Sequence, residues 1–135
     1  MERIIFEWNA RVYFEDTDSG GVVYHANYLK FMERARTEWL RNLGLNQIEL
    51  KQKDKVIFVV RKIDIQYKIP ARFNDELLIQ TDCVKTTDYS IILKQNILRG
   101  KQIITEGNVE IVCVNSDLFK PVRIPKMAKQ LMEII

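Results

Sequence analysis

The chain has 135 residues, 47% of them apolar and 29% charged, with 21 Lys and Arg against 18 Asp and Glu for a net charge of +3. This is the composition of a soluble globular protein long enough to bury a core, and it predicts a single domain over residues 1–135. So mild a balance, without a block of five like charges, argues against nucleic acid as a partner, and the lack of a long apolar stretch or a signal-peptide core argues for the cytoplasm and against a transmembrane segment.

Residues 4–15 carry Ile4, Ile5, Phe6, Trp8, Val12, Tyr13 and Phe14 with Glu7, Asn9 and Arg11 interleaved, which predicts a first strand. Residues 16–26 are turn-rich, with Asp16, Asp18, Ser19, Gly20 and Gly21. From Asn27 the period changes: Tyr28, Phe31, Met32, Ala35, Trp39 and Leu43 recur at steps of three or four, while Glu33, Arg34, Arg36, Glu38 and Arg41 fall largely on the other side. The pattern predicts one long amphipathic helix over 27–43, about 25 Å long at ~1.5 Å per residue, with Asn27 as N-cap and Gly44 as C′ residue.

Residues 45–55 are polar and irregular, suited to a loop with a short helical turn. Four strand-like segments follow at 56–69, 76–86, 89–99 and 102–114, punctuated by Pro70, Asn74-Asp75, Thr87-Asp88 and Arg99-Gly100-Lys101, and closed by Asn115-Ser116-Asp117. Pro125 starts a short terminal helix with Met127, Leu131 and Ile134 on one face. Strand, long helix and four strands on short connections make an α+β architecture, a five-stranded mainly antiparallel sheet wrapped around one central helix.

The chemistry-bearing residues gather in 14–43. Asp16, Asp18, Gly20-Gly21 and His25, the single histidine, precede the helix start, where unpaired N–H groups and a partial positive charge favour anything oxyanionic. Two readings of Asp16 and Asp18 stay open at this level, a plain Asx-type turn and a reacting carboxylate; the same holds for His25, structural or catalytic. No metal loop is recognisable, Cys83 and Cys113 lie in apolar strands without CxxC spacing, and neither GxGxxG nor GxxxxGK[ST] is present. Arg61, Arg72, Lys85, Arg99, Lys120 and Arg123 are scattered bases that serve either phosphates or the solvated surface.

The run from Tyr13 through Asp16-Thr17-Asp18-Ser19-Gly20-Gly21-Val22-Val23-Tyr24-His25-Ala26-Asn27-Tyr28 to Phe31-Met32-Glu33-Arg34-Ala35-Arg36-Thr37-Glu38 strongly resembles the YbgC-type acyl-CoA thioesterases, in the 4-hydroxybenzoyl-CoA thioesterase branch of the hotdog superfamily. Phe58-Val59-Val60-Arg61-Lys62, Pro70-Ala71-Arg72 and Val112-Cys113-Val114 extend the likeness over nearly the whole chain. The resemblance implies a hotdog fold and hydrolysis of acyl thioesters to free acid and coenzyme A, with no cofactor beyond the coenzyme A of the substrate and no metal. It implies Asp18 as the catalytic carboxylate and a backbone N–H at His25, or at its neighbours Tyr24 and Ala26, as the carbonyl donor. The His25 side chain then has an auxiliary catalytic part, and Gly21, Val22, Tyr24, Ala26, Asn27 and Arg61 line the substrate. The basic cluster that binds coenzyme A phosphates in the hydroxybenzoyl enzyme has only Lys85 as a stand-in in the turn Lys85-Thr86-Thr87-Asp88.

By the same resemblance the carboxylate either attacks the carbonyl to give a mixed anhydride or takes a proton from an attacking water. The partners implied are an acyl-CoA or acyl-carrier-protein thioester, a second copy in a homodimer or homotetramer, and Tol–Pal-linked or phospholipid-synthesis proteins, with a position that extends to the periphery of the inner membrane. The alternatives are a non-catalytic acyl-thioester or acyl-carrier-protein binding scaffold of the cell envelope, and a hotdog hydratase acting on enoyl thioesters.

Overall fold

The computed structural model describes residues 4–133. The strands are β1 (Phe6–Arg11), β2 (Val56–Tyr67), β3 (Glu76–Thr86), β4 (Ser90–Arg99) and β5 (Gln102–Asn115), and the helices include α1 (Asn27–Asn42) and α2 (Lys126–Met132). The sheet runs β1-β3-β4-β5-β2 with every neighbouring pair antiparallel. It curls around α1, which is the hotdog arrangement.

The α1 face Tyr28, Phe31, Met32, Ala35, Trp39 and Leu40 is buried. Its first half packs with Val12, Val23, Ala71, Leu77, Ile79, Ile97 and Ile104, and its second half with Ile91, Leu93, Val109, Ile111, Cys113 and α2. Gly107 lets the helix lie close to the sheet, since a Cβ there would come within 2.5 Å of the Met32 methyl. The helix ends as the sequence predicts: Gly44 takes φ +86°, its N–H bonds Arg41 C=O at 3.0 Å, and Leu45 N–H bonds Leu40 C=O at 3.0 Å. That pair of bonds is a Schellman closure, with Leu40 and Leu45 packed in the same core.

Four expectations change. The first strand stops at Arg11, and Phe14–Asp16 forms a 3₁₀ turn because the Asp16 carboxylate accepts the Tyr13 N–H at 2.8 Å. The 45–55 segment is helical over Gln47–Glu49 and Leu50–Asp54, capped by the Asn46 side chain. Arg36 turns inward: its guanidinium donates to Gln95 Oε1 at 2.9 Å, and Gln95 bonds Thr81 Oγ1 and Met32 C=O in the core. The curl of the sheet, invisible to a helical-wheel count, brings β3 and β4 over that flank. On α2 Leu131 packs against the core as expected and Ala128 and Met132 are buried, whereas Met127 is 61% exposed; Ile134 lies outside the described residues.

Among the described residues no helix is long and apolar enough to cross a membrane, and no group of three or more His, Cys, Asp and Glu could hold a metal ion. Burial pushes the Cys113 thiol up to about 11, which removes it as a nucleophile at neutral pH.

Candidate active site

Between β1 and α1 the chain makes a small loop closed by a bridge between Thr17 and Val23. At its tip Gly21 N–H bonds Asp18 C=O at 3.0 Å and Asp18 N–H bonds Val22 C=O at 2.9 Å. Gly21 sits at φ +79°, a conformation L side chains rarely adopt. Both sequence readings of Asp18 are compatible here. Its Oδ1 accepts the Gly20 N–H at 2.8 Å, an Asx-turn, while Oδ2 accepts no hydrogen bond from the described residues. One oxygen is held and the other is presented to solvent from an exposed residue. Asp16 differs, because its carboxylate is engaged within its own turn.

The loop is docked on the segment after β2. Val22 bridges Arg72, and Val23 N–H bonds Ala71 C=O at 2.8 Å. Ala71 N–H in turn bonds the hydroxyl of Tyr28, in the first turn of α1, at 2.9 Å. Burial raises the Tyr28 pKa, so the phenol stays neutral and keeps its oxygen available to the Ala71 N–H.

The helix start itself lacks a side-chain cap. Ala26, not Asn27, is the N-cap residue, and it accepts the Leu29 N–H only through its carbonyl, at 3.2 Å. Asn27 is the first helical residue, and its Nδ2 donates to Asp16 C=O at 2.8 Å, which corrects the expected cap. Tyr24 N–H bonds the same Asp16 oxygen at 2.9 Å, and Asn27 N–H bonds Tyr24 C=O at 2.8 Å. Of the three candidate donors, Tyr24 is therefore occupied, whereas the N–H groups of His25 and Ala26 have no acceptor among the described residues.

The His25 imidazole is exposed, tilted against Tyr24 with ring centroids 4.5 Å apart. Beside it Val23, His25, Tyr28, Tyr67, Lys68, Ile69 and Pro70 enclose an open, mainly apolar cavity of about 170 Å³. A helix N-terminus with two free N–H groups, a carboxylate and an apolar recess can hold a polarised carbonyl and deliver an oxygen base or nucleophile to it.

Asp18, Gly21, Val22, Tyr24, His25, Ala26 and Asn27 are thus brought together by one loop and one helix start. Arg61 is not. It lies at a bulge of β2, bonded to Glu110 at 2.9 Å and six strand residues from Tyr67, roughly 20 Å away at ~3.3 Å per residue. The Arg61 hydrogen bond holds the Glu110 carboxyl below its usual range.

The turn after β3 falls at Thr87-Asp88, where the sequence places it. Lys85 stays in β3, while Arg123 and Lys129 reach Asp88 from the C-terminal segment at 3.1 and 3.4 Å. Tyr67 is the neighbour of the site that the sequence does not signal. Alternation places Ile63, Ile65 and Tyr67 on one face, but not a hydroxyl against the start of another element.

The model of the thioesterase-like superfamily matches residues 12–132. The chain is 44% identical over 127 residues to the acyl-CoA thioester hydrolase YbgC of Escherichia coli O6:H1, covering 93% of this chain and 94% of that protein. It is 40% identical over 124 residues to the acyl-CoA thioesterase YbgC of Haemophilus influenzae, covering 92% and 91%. Among solved structures it superposes on gentisyl-coenzyme A thioesterase BH1999 with a TM-score of 0.86 and 31% identity, over 94% of this chain and 99% of that one. Placed beside the loop-and-helix geometry above, these likenesses assign the chain to the thioesterase-like superfamily and, within it, to the YbgC family.

Proposed function

We propose that the protein hydrolyses acyl-CoA thioesters to a carboxylic acid and free coenzyme A at the start of α1. The observation that carries this reading is the pairing of Asp18, a carboxylate with one oxygen that accepts no hydrogen bond from the described residues, with a helix start whose His25 and Ala26 N–H groups have no acceptor among them. Family membership supports the substrate class.

The thioester carbonyl oxygen lies against those N–H groups. The helix dipole and the donors bind it more strongly as negative charge develops, which lowers the barrier and not merely the ground state. Asp18 acts on the carbonyl carbon directly or through a water whose proton it takes. A thiolate, with a pKa near 8.5, departs without a strong general acid, which suits a site with few proton donors. The His25 imidazole borders the cavity as an auxiliary group.

The same reading includes a second copy of the chain. β2 is a sheet edge of 12 residues, with β5 its one neighbour among the described residues, and such an edge invites another strand. Val60 is 47% exposed on it. Joining two β2 edges extends the sheet and covers the flank of the cavity beside Tyr67. Sedimentation of the intact protein checks this, a dimer or tetramer being the expected result.

Thiol release from a panel of acyl-CoA and acyl-carrier-protein thioesters tests the activity. Turnover of at least one acyl-CoA is expected. Binding without release would favour an acyl-binding scaffold, and hydration of crotonyl-CoA would favour a hydratase.

A further inference from the structure

Tyr67 closes β2, 42 residues from His25 in sequence, and its hydroxyl donates to the His25 carbonyl at 3.0 Å. The residue is 46% exposed, so water would satisfy its hydroxyl without any protein partner. Its ring is nonetheless located by two others. Tyr28 meets it edge-on with centroids 5.3 Å apart and planes at 60°, and the His25 imidazole at 6.3 Å and 78°. Tyr28 is itself 3% exposed and anchored through its hydroxyl to Ala71. An immobile ring thus locates a surface ring, which in turn holds one backbone carbonyl.

The consequence falls on the peptide unit. In a trans peptide the C=O and N–H point in opposite directions. Fixing the His25 carbonyl on β2 therefore fixes the Ala26 N–H of the same unit, aimed away from β2. This is one of the two N–H groups without an acceptor among the described residues. A hydrogen bond accepted by the carbonyl also draws electron density from the peptide nitrogen and strengthens its N–H as a donor.

We infer that Tyr67 is a positioning residue for thioester hydrolysis: by holding the His25 carbonyl it orients and polarises the Ala26 N–H toward the developing oxyanion. The inference rests on the thioesterase reading above. A ground-state thioester carbonyl accepts weakly and an oxyanion strongly, so the benefit falls on kcat and little on KM.

The test is Tyr67→Phe in the full-length protein, which keeps the ring and its packing. It is assayed by thiol release on the acyl-CoA that the unaltered protein hydrolyses fastest. The expected kcat is about tenfold lower, in line with one hydrogen bond, with KM within about twofold. In ¹⁵N-labelled protein the Ala26 amide proton is expected to shift upfield, a change that a packing role for the ring does not produce. An unchanged kcat, a rise in KM with kcat intact, or an unmoved Ala26 resonance each overturns the assignment. If the unaltered protein hydrolyses no acyl-CoA, the reading beneath falls and this inference with it; an active protein whose Tyr67→Phe variant runs at full speed overturns the inference alone.

Discussion

The side-chain amide of Asn27 donates to the carbonyl of Asp16 at 2.8 Å, an oxygen that also accepts the Tyr24 N–H at 2.9 Å. An asparagine at a helix start ordinarily turns its oxygen back onto the helix N–H groups. Here the amide instead reaches outward and ties the helix to the acidic loop. The choice lowers the local stability of the helix but leaves its end open to a ligand oxygen, and it locks Asp18, two residues on from Asp16, into a fixed relation with that end.

Asp18→Asn is expected to leave this scaffold intact, since the amide oxygen can still accept the Gly20 N–H. What it removes is the charge. Turnover of acyl-CoA should fall by at least ~10²-fold, the low end for losing a general base, with the melting temperature nearly unchanged. Activity like that of the unaltered protein would remove Asp18 from the reaction.

How much of this was legible depended on which physical signal each residue left in the sequence. Helix period and strand alternation are local, so α1, its Gly44 stop and the four later strands could be read. The hydrogen-bond choice of Asn27 was not, because the competing acceptor belongs to a loop 11 residues away. Arg36 reads as solvent-facing for a similar reason, since the sheet that covers it comes from β3 and β4. Asp18 emerged from family resemblance; periodicity left it level with Asp16. Arg61 came by the same route, yet within the chain it sits well down β2, engaged with Glu110. Tyr67 left no signal, as its partner atom is a backbone carbonyl of another element.

The two glycines of the loop should separate activity from stability. A Cβ at Gly20 would stand 3.1 Å from Asp18 Oδ1, tight enough to displace the carboxylate by a few tenths of an ångström. Gly20→Ala should therefore lower kcat severalfold with little loss of stability, displacement of a reacting group being costly well below 1 Å. Gly21 has open space around its Cβ position but a φ of +79°. Gly21→Ala should lose ~1–2 kcal/mol in urea unfolding. An unchanged kcat in Gly20→Ala would show that the carboxylate contact is irrelevant to turnover.

Tyr28→Phe probes the anchor beneath the site. It deletes the acceptor of the Ala71 N–H in a place where both residues are buried. A buried donor left without a partner costs about 1–3 kcal/mol, and urea denaturation should show a loss of that size. A neutral result would mean that water or backbone movement satisfies Ala71.

Asp75 gives the fold a measurable acid sensitivity. Desolvation raises its pKa, but the Arg72 N–H at 2.9 Å and the Arg99 guanidinium at 2.8 Å outweigh this and hold the carboxyl below its ordinary value of 3.8. The sign follows from linkage. A carboxylate whose folded pKa is depressed contributes stability fully above the unfolded pKa and loses it as pH falls through the folded one. Arg99 also donates to Pro70 C=O at 3.2 Å, so the same contact steadies the segment on which the acidic loop docks. In Arg99→Met the Asp75 pKa should rise toward 3.8, and the stability gap from the unaltered protein should be widest near neutrality and narrow below pH ~4. Because the pair is partly solvent-exposed, the gap at neutral pH should also shrink in high salt. Urea unfolding of both proteins at pH 3 and pH 7 measures it, and a gap of the same size at both values would assign the Arg99 effect to packing instead of charge.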